Sequence, residues 1–388
     1  MNNFKSKFLI IFMIFPYLNI HFFMNGSLNE IIYFWTIVSF FASIIVFLKM
    51  NKKLDSLDIL LACYFTFTIL ISFIRGTLSF GVFYSIISLY GIILFLKFCL
   101  KANVFATMYS LYWLYVSVAI VNFLSMLMHS SSLENDFYFL GGKNVIQMTI
   151  LPTIFIIFIY SYLVKKKLTK LNLTLIIICL ISMQLSKSGT ALVITLLIII
   201  FFFIYKKNII SFGHYLFVYT VLFFSIVIFR IQEKAFNSFI SGYLDKEVTF
   251  TGRTYLWDIA LNKIRDSWLV GYGRGNSVIS SNSYMLSNHL NEVHNGVLEL
   301  LLSIGFFGLA LFVLILLLVK NQLNRYKKHI FSTLLSFSIF LYMTVGLSES
   351  IFNRFEFWLL LTLAYSIESL VNATDSKLNS DRRIRFRC

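Results

Sequence analysis

The sequence predicts an all-α polytopic membrane protein with about twelve transmembrane helices and one large extracytoplasmic loop that contains an amphipathic helix. Three observations predict it. The 388 residues are 59% hydrophobic and only 13% charged, with 44 Phe and 21 Tyr, whereas soluble domains carry about 25% charge. Mean hydropathy is +0.82. The apolar residues also gather in runs near the ~20 that a helix needs to cross a ~30 Å hydrocarbon layer, with polar clusters between them. A water-soluble domain and a disordered chain are both excluded.

The runs follow in order. Lys5 and Lys7 precede the first, 8–25, and no small-residue cleavage site follows it, so it reads as an uncleaved signal anchor. The next are 31–48, 59–74, 78–96, 103–128, 145–164, 171–187, 190–205 and 209–229. Arg75-Gly76 and Lys187-Ser188-Gly189 separate neighbouring short runs that would otherwise read as single long spans. After a long polar stretch come 294–319, 330–348 and 353–371. The chain thus divides into nine spans in 1–229, a loop in 230–293, three spans in 294–371 and a basic tail in 372–388. Cys63, Cys99, Cys179 and Cys388 suggest no disulfide pair, and no Cys/His spacing suggests a metal site or any other cofactor.

The net charge of +16 would suggest a nucleic-acid partner in a soluble chain. Sorting the charges by side changes its meaning. With the N-terminus cytoplasmic, 22 of the 33 basic residues fall on that side, among them Lys49, Lys52, Lys53, Lys165 to Lys167, and the tail's Arg382, Arg383, Arg385 and Arg387. Eleven remain outside, seven of them in the long loop. This asymmetry places both termini in the cytoplasm and the loop on the opposite face.

A loop of about sixty residues is where function concentrates. Within it, Trp257, Leu261, Ile264 and Trp268 recur at helical spacing, with Lys263 and Asp266 off that face. Thr251 or Thr254 can cap the helix start and Gly271 can end it. Such a helix lies flat on the outer leaflet or covers a cavity between spans. Arg253 stands at its beginning, where helix-end N–H groups already favour an anion. Arg274 lies in Gly271-Tyr-Gly-Arg-Gly275. The pair would make a pyrophosphate clamp, but spacing alone favours the plainer reading, in which Arg253 pairs with an acidic neighbour and the glycines turn the chain.

His294-Asn295 opens the tenth span, with Leu298 and Leu301 below on one face, and Gly305 and Gly308 allowing close helix contact. A histidine at an interface is usually a polar tip. Beside an arginine-rich loop it is also a candidate base near neutral pH. Glu299 is a charge inside the same span, on a different face, and reads equally well as a packing partner.

These residues resemble the O-antigen ligase and Wzy-type polysaccharide polymerase superfamily. The resemblance rests on H-N-x-x-L-x-x-L-x-x-x-G from His294 to Gly305, G-R-x-x-x-W from Gly252 to Trp257, and G-x-G at Gly271 to Gly273. Gly142-Lys143-Asn144 and Ser186-Lys-Ser-Gly-Thr190 are weaker echoes; an arginine often found in the second is here Gly189, which leaves Lys187 as that segment's cation. The resemblance implies a glycosyltransferase of the bacterial inner membrane. It would be metal-independent and inverting, with a polyprenyl-pyrophosphate-linked glycan as donor and a hydroxyl of a second lipid-linked oligosaccharide as acceptor. Membrane lipid and a chain-length-regulating protein are implied partners; nucleic acid is not. His294 and Arg253 would be catalytic, and Arg253, Arg274, Lys187 and Arg75 would hold pyrophosphate.

Asn295, Asn144, Lys143, Glu349 and Arg354 are secondary candidates near the outer face, with Glu356 nearby; Glu349 with Arg354 reads more simply as a structural pair. Within the family, a polymerase joining repeat units is the reading preferred, with a ligase as the alternative. A transporter or flippase of repeat units is the rival from another class. It would show two similar halves and charges along a central path, whereas here the outer charges keep to one face.

Overall fold

The computed structural model describes residues 3–24, 28–48, 54–128, 138–207, 210–231, 253–276, 278 and 292–385. These residues are helical almost throughout; an isolated bridge between Tyr138 and Gly141 stands in place of any strand among them. In chain order the helices are α1 (Asn3–Ile14), α2 (Leu28–Leu48), α3 (Ser56–Ile74), α4 (Phe80–Ala102), α5 (Val104–Met128), α6 (Lys143–Lys165) and α7 (Lys170–Leu185). They continue with α8 (Gly189–Ile204), α9 (Phe212–Phe223), α10 (Arg253–Asp266), α11 (Gly296–Arg325), α12 (Ile330–Val345), α13 (Phe355–Tyr365) and α14 (Ile367–Arg385).

Local chemistry sets many of the ends. Asp55 and Asp58 form a reciprocal capping box at α3, and Ser79 and Thr169 cap α4 and α7 through their hydroxyls. Gly76 (φ 69°) and Lys187 (φ 53°) turn the chain in the left-handed region, so both short polar boundaries do separate two helices. The first apolar run is interrupted, in contrast to the single span expected over 8–25. Pro16 sits in a 3-10 turn, Phe15–Leu18, and Asn19 follows at φ 48°. A proline has no N–H to continue the ladder, a cost that a hydrophobicity count does not register.

Among the described residues seven helices are long and apolar enough to cross a membrane, and α13 with the start of α14, bent by 55°, counts as an eighth if the bent pair is one span. Four further apolar helices are shorter: Ser6–Leu18, Lys170–Leu185, Phe212–Ile228 and Ile330–Val345. The expected total of twelve depends on reading these four as spans. Helix α6 is central, almost wholly buried, and packs on α5, α7 and α12, while α11 packs on α3 and α13. Phe34, Phe41, Phe73, Phe203 and Phe217 face outward over a broad apolar surface of the kind that hydrocarbon solvates.

One break positions the site. Gly305, inside α11, has φ 61° and ψ −163°, a region open essentially to glycine alone. The helix is interrupted there, and the segment after α10 replaces the lost ladder. Tyr272 and Gly273 donate their N–H groups to the carbonyls of Leu302 and Ser303 at 2.7 and 2.9 Å. Phe306 and Phe307 in turn donate to the carbonyls of Trp268 and Leu269 at 2.8 and 3.1 Å. Four backbone groups that a continuous helix would pair internally are thus satisfied by a strap from the loop. Gly305 thus seats the strap and breaks the helix, where the sequence suggested only close helix contact, and Gly271 (φ 71°) and Gly273 (φ 84°) turn the chain. A Cβ on Gly271 would lie 2.6 Å from the Leu302 oxygen, and one on Gly305 2.4 Å from the Leu269 carbonyl.

Candidate active site

Helix α10 forms as its periodicity predicts, but its face is spent on protein. Leu256, Trp257 and Ala260 pack with Val227, Val293, Leu298 and Leu302, and Leu261 and Ile264 border that cluster. Trp268 lies beyond the helix end and is exposed, near Phe306. Arg230 fastens the helix, pairing with Asp258 and donating to the Thr254 carbonyl. Thr251 lies outside the described residues, and Thr254 is buried in the first turn.

This packing delivers Arg253, the first residue of α10, to the turn between α12 and α13. Its Nη2 donates to Glu349 Oε1 at 2.8 Å and its Nη1 to the Ser348 carbonyl at 2.5 Å. The other oxygen of the same carboxylate, Oε2, lies 3.3 Å from His294 Nδ1. Glu349 therefore bridges the two residues singled out for catalysis, and the Glu349–Arg354 pairing expected from the sequence is not formed. Exposure is graded: the side chain of Glu349 is 6% exposed, that of Arg253 17% and that of His294 28%. The carboxylate is sealed, and the imidazole is the member that reaches the surface.

His294 is not on the helix face, as the leucine pattern suggests, but precedes its cap at φ 51°. Asn295 is the cap. Its Oδ1 accepts from the N–H groups of Val297 and Leu298, and its Nδ2 donates to the Leu347 carbonyl at 3.0 Å. The Gly296 N–H donates to the Gly346 carbonyl at 2.8 Å, and a Cβ on Gly296 would strike the Phe352 ring at 2.8 Å. These contacts stitch the start of α11 to the turn that carries Glu349 and fix both partners of the dyad.

Two further helix ends meet the same corner. Thr190 and Ser348 share a hydroxyl–hydroxyl hydrogen bond at 3.1 Å, and Ser188 donates to Asn144 Oδ1 at 3.2 Å. Both weak sequence echoes are thus brought beside the Arg253–Glu349–His294 cluster, with Lys143 and Lys187 exposed next to them. Arg75 is held elsewhere, donating to Ser267 Oγ at 2.7 Å, its guanidinium 5.9 Å from the centre of the Tyr272 ring. It braces the strap.

Arg274 follows the strap, its N–H held by Ser72 Oγ at 2.9 Å. Burial holds its guanidinium below the ordinary arginine range, while Tyr64 and Glu299 act in the opposite sense. Among the described residues no carboxylate lies within ion-pair distance of it. Glu299 is within electrostatic reach of both Arg274 and His294, and its carboxylate accepts from Ser303 at 3.5 Å. Glu356 faces the bundle interior, accepting from Thr149 Oγ1 at 3.3 Å. Sequence reasoning missed Ser348 and Ser72, and nothing local marks either.

With this geometry in place, two comparisons bear on the chain. Residues 173–313 match a family model described as O-antigen ligase. A Rickettsia felis protein described as "Putative polysaccharide ligase" is 28% identical over 126 residues, a match that spans 30% of this chain and 30% of that protein. Both support a resemblance to the O-antigen ligase and Wzy-type superfamily. The matched region contains Arg253, Arg274 and His294; Glu349 lies beyond it.

Proposed function

We propose that the chain transfers a glycan from a polyprenyl pyrophosphate to an acceptor hydroxyl, with inversion, at the extracytoplasmic face of a bacterial inner membrane. The observation that carries this reading is the buried Glu349 carboxylate between Arg253 and His294. With Nδ1–H directed at Glu349, the imidazole presents a bare Nε2 to a hydroxyl, and the carboxylate stabilises the imidazolium once the proton arrives. As the hydroxyl oxygen bonds to the sugar's anomeric carbon, its proton passes to Nε2. The bond to the leaving oxygen breaks, and its electron pair departs with the pyrophosphate.

Arg274 carries the leaving-group role in this reading, because a sheltered guanidinium without a carboxylate partner among the described residues favours an anion. Arg253 spends two nitrogens on Glu349 and Ser348, so it shapes the base before it binds substrate. Lys187 and Lys143 are exposed at the same corner, where they attract the charged donor.

Joining of lipid-linked repeat units is the acceptor chemistry preferred here. The ligase reading is favoured by the descriptions of the matching family and of the Rickettsia felis relative. Deleting the gene and sizing the surface glycan separates them: single repeats mean a polymerase, and untransferred long chains mean a ligase. A glycan unchanged in both respects contradicts the proposal.

A further inference from the structure

At the other end of the bundle, between the start of α1, the start of α5 and the end of α6, lies a cavity of about 310 Å³. Lys7, Asn103, Phe105, Tyr109, Tyr160 and Val164 line it. No part of the candidate active site reaches it. Helix ends sort the molecule into two poles: Lys7 with α5's start and Asp55 with Lys97 at this one, Arg253 with Glu349 at the opposite one.

The cavity's cation is held in place. Ser110 Oγ donates to the Lys7 carbonyl at 2.9 Å and so fixes that residue's backbone to α5. The ammonium lies 4.2 Å from the centre of the Tyr109 ring. No described carboxylate forms an ion pair with it. Among the described residues its charge is therefore oriented but not neutralised, and the exposed Lys165 and Lys166 at the end of α6 add to the local positive field.

The depth of the cavity follows from its aromatics. Tyr112 stacks on Tyr160 with ring centres 4.3 Å apart, Tyr109 lies 6.2 Å from Trp113, and the Trp113 side chain is exposed on the bundle's outer surface. Tyrosines and tryptophans grouped at one helix level mark a membrane–water interface. A cation in a pocket between helices at that level suits the phosphate of an acidic lipid. The apolar Phe105 and Val164 and the exposed Trp113 lead from it along the lipid-facing surface.

We propose that this cavity binds the phosphodiester headgroup of an anionic phospholipid such as phosphatidylglycerol, with the acyl chains lying along α5. Lys7 supplies the charge, and the tyrosine hydroxyls supply donors. A free phosphate shares the headgroup chemistry but not the acyl contact.

Native mass spectrometry of the full-length protein in detergent tests this, with phosphatidylglycerol, phosphatidylcholine or inorganic phosphate added. The wild type is expected to retain phosphatidylglycerol over phosphatidylcholine, and Lys7→Ala to lower that preference about fivefold, as loss of one interfacial cation should. Lys7→Arg should keep it. Val164→Phe, which narrows the cavity without touching the charge, should lower it as well, so the test survives if Lys7→Ala fails to fold. Equal retention of the two lipids by the wild type, or full preference in both Lys7→Ala and Val164→Phe, overturns the proposal. Retention of inorganic phosphate without phosphatidylglycerol overturns the lipid assignment too.

Discussion

Glu349 accepts a hydrogen bond from Arg253 on one carboxylate oxygen and turns the other toward His294 Nδ1, so residues 96 and 55 positions away in the chain share one buried anion. Glu349→Gln keeps the shape but removes the charge that orients the imidazole and stabilises its protonated form. Glycan transfer in membrane vesicles should fall by about 10²–10⁴-fold, mainly in kcat. Activity within a few-fold of wild type would show that the bridge is only structural.

Arg253→Lys tests the same anchor from its other side. One ammonium cannot reproduce a fork that reaches the Ser348 carbonyl and the Glu349 carboxylate together. Transfer should fall at least tenfold while the protein stays in the membrane at normal abundance, measured by immunoblot of the membrane fraction. Removing the guanidinium altogether, as in Arg253→Met, leaves the buried carboxylate without its cation. It should also destabilise the fold, by about 3–5 kcal/mol.

The helix break makes a separate prediction about stability. Gly305→Ala places a Cβ 2.4 Å from the Leu269 carbonyl at a backbone conformation that alanine does not adopt. It should cost about 3 kcal/mol or more in thermal or denaturant unfolding of the detergent-solubilised protein. Gly81→Ala is the control. Its Cβ would meet only Ser79 Oγ, at 3.9 Å, and the substitution should be neutral or mildly stabilising.

Asp55 gives a pH dependence at the pole away from the site. Burial alone would raise its pKa, but hydrogen bonds from Lys97 and Lys101 outweigh that and bring it down to about 2. A carboxylate whose folded pKa is depressed contributes stability that is complete above its ordinary pKa near ~4 and is lost as pH falls toward 2. The melting temperature of the wild type should therefore drop between pH 4 and 2. The same drop in Asp55→Asn would contradict that origin.

The helices were legible because a transmembrane run declares itself by composition, and α3, α5 and α6 lie within a few residues of the runs read from the sequence, while α4 continues past its run to Ala102. His294 and Arg253 were legible through short motifs. Their connection was not. Glu349 stands in a polar turn where Arg354 is the nearer cation, and only the packing of α10 on α11 brings Arg253 to it instead. Gly305 was visible as a glycine, but a lone glycine in an apolar run reads as a packing site. The break depends on a strap more than thirty residues earlier that donates and accepts in register. Asn295 was placed among the site candidates because it follows His294, and its side chain proves to be spent on capping α11.

The central claim is that His294 takes the acceptor's proton. Asparagine adopts the left-handed backbone that this position requires, so His294→Asn removes the base with little strain. Purified wild type and His294→Asn, reconstituted with a polyprenyl-pyrophosphate oligosaccharide and an acceptor, should be compared for polyprenyl pyrophosphate release and product glycan. Product formation in the variant should be at least ~100-fold slower, with the donor still bound. Product formation at the wild-type rate would contradict the claim.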